Sequence, residues 1–163
     1  MINVLIAIAL VVIYTVTLCI VGGKIPDSLS KSVYFIPPKW SWIWTVTIGT
    51  VAALIMPVML EKAADNWKFL AFLSCAGLFF VAFCPLSHKK DKTEPSYIAH
   101  MIGAWTSAIC SQLLAIVSTH EIMIMWMPWF FAHEWMTRKK SWPQKVFWAE
   151  MTCFATIFIL LLS

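Results

Sequence analysis

At 163 residues, 61% of them hydrophobic and 12% charged, with a mean hydropathy of +0.80, the chain lies far outside the range of soluble domains, where about a quarter of residues are charged. Its formal charge of +4 comes without any basic-aromatic nucleic-acid module, so it reads as topology and contact with anionic lipid headgroups, not as a nucleic-acid footprint. Lipid admits only helices and closed barrels, and no ten-residue polar/apolar alternation suggests a barrel, so the expected fold is an all-α integral membrane bundle, one domain over residues 1–163.

Six apolar stretches approach the roughly 20 residues needed to cross a hydrocarbon core of about 30 Å: about 2–21, 40–60, 69–86, 97–117, 122–137 and 146–162. The first has no basic segment before it and too long an apolar core for a cleaved signal, so it is expected to remain as a helix. After it, Gly22, Gly23 and Pro26 break the helix, and Pro37 and Pro38 precede the next. The intervening "GGKIPDSLSKSVYFIPPK" reads as a plain loop, with a short amphipathic segment or re-entrant turn as the alternative. Pro57 and Pro128 fall inside spans and are expected to kink them.

The fourth span opens with His100, which shares one face with Gly103, Ala104, Ser107 and Ser111 at helical spacing. Such a stripe either lets another helix approach closely or lines a cavity, and close packing is the expected reading. The fifth is bracketed by two doublets, His120 with Glu121 and His133 with Glu134. Only eleven residues separate them, roughly 16 Å as a helix, so at least one doublet is expected below the membrane surface. Trp129 shares a helix face with His133. Glu150 lies five residues into the last span, counted from Lys145.

Ten of the twelve basic residues sit in the first, third and fifth connections, which the positive-inside rule places in the cytoplasm with both termini outside. His100, His133, Glu134 and Glu150 then share one depth on the cytoplasmic side. Ionisable groups inside a bilayer are costly and usually face a cavity or one another. The expected site is therefore a cytoplasm-facing polar cavity that binds a proton or a small amphipathic ligand in transport or sensing. His100, His133, Glu134, Glu150 and Ser107 supply polar groups, with Trp129 on the apolar wall. Trp44, Trp105 and Trp126 are further candidates for that wall.

Enzyme motifs are sparse. "HEWMT" is not the two-histidine zinc motif, because position 137 is Thr. A metal-dependent hydrolase or transferase would need Asp27, His100, His133 and Glu150 to converge, with Glu134 as base. A third reading is a noncatalytic accessory subunit. No cofactor is expected; the bilayer is the partner, with a second copy or another membrane protein as further partners. The five cysteines lack CxxC spacing and read as packing residues. Met123, Met125 and Met127 alternate around the helix and do not converge on a metal.

Two resemblances add context. "FCPLS" closing the third span, with His100 in "SYIAHMIGAW" opening the fourth, resembles small six-span bacterial and phage membrane proteins of unassigned function over roughly residues 66–112. This implies a bacterial inner-membrane location and no reaction. "IPPKWSWIWTV" resembles the start of the second helix in the translocator protein (tryptophan-rich sensory protein) family, five-helix bundles that bind porphyrins and sterols. The order of its Pro and Trp residues differs, and six spans stand against five.

Overall fold

The computed structural model describes residues 1–84, 93–119, 124–139 and 142–163. Among the described residues six α-helices form: α1 (Ile2–Gly22), α2 (Trp42–Lys62), α3 (Lys68–Phe83), α4 (Pro95–Ser118), α5 (Trp126–Lys139) and α6 (Lys145–Leu162). All but α5 belong to stretches long and apolar enough to cross a membrane. Their outward faces are apolar too: Ile13, Ile20, Phe83, Ile102 and Trp105 are largely exposed. Water would not tolerate that surface on a monomer, whereas lipid would. His120, Glu121 and Met123, with Lys89, Lys90, Lys92 and Lys140, lie outside the described residues.

The core is stacked in two layers along the helices. One layer joins the start of α1 (Val4, Ala7) to the end of α2 (Met59, Ala63), the start of α3 (Leu70, Ala71), the end of α4 (Leu114, Ala115) and the end of α6 (Leu160, Leu161). The other joins the end of α1 (Tyr14, Leu18) to the start of α2 (Trp44, Ile48), the end of α3 (Val81, Ala82) and Phe147 at the start of α6. Both termini therefore lie at one end of the bundle. The α1–α2 connection lies at the other.

The α3–α4 seam is the most extensive pairing. A Cβ added at Gly77 would lie 2.5 Å from the Gly103 carbonyl oxygen, and one added at Gly103 would lie 2.7 Å from that of Gly77. Only glycine permits this backbone approach, so the small-residue face of α4 packs against α3. Ser74 adds a hydrogen bond to the Ser107 carbonyl at 3.4 Å. At the far end of the seam, Trp44 Nε1 donates to the Val81 carbonyl at 3.0 Å and Thr45 Oγ1 to the Ala82 carbonyl at 2.9 Å. These satisfy carbonyls of the last turn of α3, which have no partner within their own helix.

Two expectations change. The α1–α2 connection is not a plain loop: it forms two 3-10 turns, of which the first, Ser30–Phe35, packs against the bundle with Leu29, Ser32 and Val33 buried, while the second, Pro38–Trp40, is exposed. Pro128 does not kink a span. It occupies the first turn of α5, where the missing N–H had no helical partner to lose. Pro57 sits inside α2, which runs through it as one continuous helix.

Candidate functional site

Between α1 and α2 the chain turns sharply. Gly23 ends α1 in the left-handed conformation at φ 63°, which costs glycine nothing. Gly22 lets the chain fold back on itself, since a Cβ there would meet the Phe35 ring at 2.3 Å. Residues 24–36 then form a strap across the end of the bundle, and both His100 and Glu150 bond to it.

His100, 2% exposed, is held at both ring nitrogens. Its Nδ1 donates to the Cys84 carbonyl at 2.7 Å, and its Nε2 lies 3.0 Å from the Ser30 hydroxyl. That hydroxyl can donate to a neutral ring or accept from a charged one. One residue earlier in the strap, the Leu29 N–H donates to Glu150 Oε2. The Asp27 carbonyl accepts the Phe147 N–H at 3.1 Å, satisfying one of the four unpartnered donors that begin α6. Ser32 bonds both the Leu29 carbonyl and, at 3.4 Å, the Tyr14 hydroxyl. Side chains from α4 and α6, far apart in sequence, thus bind consecutive strap residues.

The remaining expected site residues lie elsewhere. His133 stacks on Trp129, ring centroids 5.0 Å apart, and approaches Trp142 at 6.4 Å. Trp129 Nε1 donates to the Lys145 carbonyl at 3.3 Å. Glu134 is exposed on α5. The bonds of His100 and Glu150 go to the strap and to Cys84, whereas the ring of His133 stacks on Trp129 of its own helix. Ser107 is buried in the α3–α4 seam. Asp27 pairs with Lys31 at 3.2 Å on the surface of the strap. Among the described residues no three His, Cys, Asp or Glu side chains are grouped to hold a metal, so Asp27, His100, His133 and Glu150 do not form a metal-binding set. Trp44 is buried against α3, and Trp105 faces outward.

A second polar centre was not expected. Gln112 Oε1 accepts from Trp126 Nε1 and from the Thr156 hydroxyl, each at 3.0 Å, and its amide nitrogen donates to the Ser111 hydroxyl and the Cys153 carbonyl. One amide thus ties α4, α5 and α6 together. Two apolar grooves, each of about 400 Å³, flank the bundle. One runs between α1 and α6 beside Cys19, Phe147 and Trp148, the other beside Phe72, Phe79 and Phe83. Neither is lined by His100, Glu150, His133 or Glu134. At the His100–Glu150 pair the strap itself occupies the space.

Comparison with protein-family models, with curated proteins and with solved structures finds no match.

Proposed function

We infer that the chain is a six-span protein of the bacterial inner membrane, both termini outside, in which His100 and Glu150 form a cytoplasm-facing exchange site for a proton or a small ligand in transport or sensing. One observation carries this reading: His100 and Glu150, from two helices, converge on Leu29 and Ser30. Burying an ionisable pair within a membrane is expensive, and such pairs usually mark substrate, ion or proton pathways.

The six-crossing count draws support from the path of the chain. The start of α4 bonds the strap and its end lies in the layer with both termini, while α6 starts back at the strap. The stretch between them must return the length of the bundle. The first turn of α5 already joins α4 to the start of α6, with Trp126 bonded to Gln112 and Trp129 bonded to the Lys145 carbonyl.

The test is mass spectrometry of small molecules retained by gently purified protein, with proton flux in dye-loaded proteoliposomes as the second arm. A His100→Ala, Glu150→Ala double variant is compared with wild type. The expected result is loss of the bound species or of the flux. A variant indistinguishable from wild type in both arms overturns the reading and favours the accessory-subunit alternative.

A further inference from the structure

His100 and Glu150 are already occupied, and by the protein's own backbone and side chain. The groups that fill the site, the Leu29 N–H and the Ser30 hydroxyl, belong to one short piece of chain. That piece holds itself together locally. Lys31, Ser32 and Ile36 each donate to the carbonyl three residues back, so the 3-10 turn keeps its internal bonds wherever it goes. At one end lies Gly23, in the left-handed region and free of steric limits. At the other lies Pro37, extended at φ −58°, ψ 145°, ahead of Pro38 and the second turn.

The strap's grip on the bundle is a short set of separable contacts. They are the Asp27 carbonyl on Phe147 N–H, Leu29 N–H on Glu150, Ser30 on His100, Ser32 on Tyr14, and the Phe35 ring against Gly22. Leu29 and Val33 add apolar burial. Pro26, Ser28, Leu29, Ser30, Ser32 and Val33 are buried, so the strap is seated rather than loose; it keeps its internal bonds when lifted, and the hydrogen bonds that hold it to the helices are few, which makes it a unit that opens below the global unfolding free energy.

We propose that residues 24–36 are a hinged strap that closes the His100–Glu150 site, and that access to the pair requires the strap to swing out about Gly23, with the stiff Pro37–Pro38 step as its fixed end. The proposal rests on the reading of that pair as the exchange site, because the swing is what uncovers it. In the closed state Leu29 and Ser30 stand in for the entering species. What displaces them must offer Glu150 a donor and His100 a hydroxyl-like partner, two roles that water, a hydronium or a hydroxylated amine can fill.

The test reads strap opening without needing to know the ligand. Ser32→Cys puts a thiol on the strap's buried side, where Ser32 is 1% exposed, and Lys31→Cys puts one on its exposed side. Inside-out vesicles are treated with a membrane-impermeant maleimide, and each position is read by peptide mass spectrometry so that native cysteines are counted separately. The Ser32→Cys thiol is expected to react at least about tenfold more slowly than the Lys31→Cys thiol. Adding Gly22→Leu, which evicts the Phe35 ring, or Glu150→Ala, which removes the Leu29 acceptor, should raise the Ser32→Cys rate roughly fivefold, as loss of one buried contact shifts an opening equilibrium. The Lys31→Cys rate should not move.

Equal rates at the two positions in the parent protein overturn the closed strap, and rates unchanged by both openers overturn the proposed contacts. If Gly22→Leu does not fold, Glu150→Ala carries this arm alone. Access to the pair is read separately with diethyl pyrocarbonate. Tethering Ser32→Cys to Tyr14→Cys with a short bifunctional thiol reagent should protect His100 from carbethoxylation and leave the rate at the partly buried His133 unchanged. A tethered protein whose His100 still reacts at the untethered rate overturns the gating role, whatever the flux and retention measurements say of the exchange site. Conversely, protection of His100 with no flux or retention defect in His100→Ala would leave the strap standing and remove the exchange reading.

Discussion

Gln112 accepts two hydrogen bonds on one oxygen and donates two from one nitrogen, filling the capacity of its amide. Replacing it with leucine keeps the volume and leaves Trp126 Nε1–H without its acceptor in a dry bundle. Gln112→Leu is expected to lower stability by about 1–3 kcal/mol, seen as a lower thermal midpoint in detergent, and to expose α5 to quenchers of tryptophan fluorescence. Interhelical hydrogen bonds in membranes are weak one at a time. The Ser30–His100 pair should therefore show a coupling of about 0.6 kcal/mol in a cycle of Ser30→Ala and His100→Ala, well short of what a soluble core would give. At this scale the sequence was half legible. Depth counted from the ends of spans picked out His100 and Glu150 because ionisable groups stand out against an apolar run. It passed over Gln112, although a lone amide deep in α4 carries the same kind of signal. It set His133 and Glu134 at the same depth as that pair, and depth by itself says nothing of direction around the bundle.

Among the helices, α3 and α4 depend most on what they lack. At Gly77 and Gly103 each backbone fills the space a Cβ would need, whereas a Cβ at Gly49 would have only the Ala82 methyl within 4 Å, at 3.9 Å. The three glycines are therefore expected to answer alanine substitution in opposite senses. Gly77→Ala and Gly103→Ala should each cost about 1–3 kcal/mol by forcing the seam apart. Gly49→Ala should be neutral or stabilising by about 0.4–1 kcal/mol, because alanine is the better helix former. Thermal midpoints of the three variants in one detergent decide this. The stripe from His100 to Ser111 was readable as a packing face from spacing alone, but its partner was not, since nothing in α4 names Gly77. The strap was harder still. Its prolines and glycines announce a break in helix, while its burial depends on α4 and α6, far along the chain.

For the whole molecule, parity is the sharpest statement. Both termini share one core layer and the strap lies in the other, so an even number of crossings is expected. Reporter fusions that are active only outside the membrane should score at residue 1 and residue 163 alike, and be silent in the strap and after Lys145. Opposite signals from the two termini would mean that the segment from 119 to 144 stays on one side. The distribution of lysine and arginine already implied this arrangement, because charge asymmetry is a property of loops and survives an error of several residues in any helix boundary. The ends of α5 were less legible, since ionisable residues flank a short apolar run whose length alone does not fit a span.

The bond from Leu29 to Glu150 joins residues 121 apart in the chain. At translation rates of about 5–20 residues per second, the strap emerges on the order of 6 to 24 s before its last partner is made. During that interval the first two helices are in place while residues 24–36 have neither the Phe147 N–H nor the Glu150 carboxyl to hold them. The strap can seat fully only when α6 adds its contacts, so completing the closure of this end of the bundle is a late event in biogenesis, and a nascent chain stalled before Lys145 would hold its strap by the Tyr14, Gly22 and His100 contacts alone.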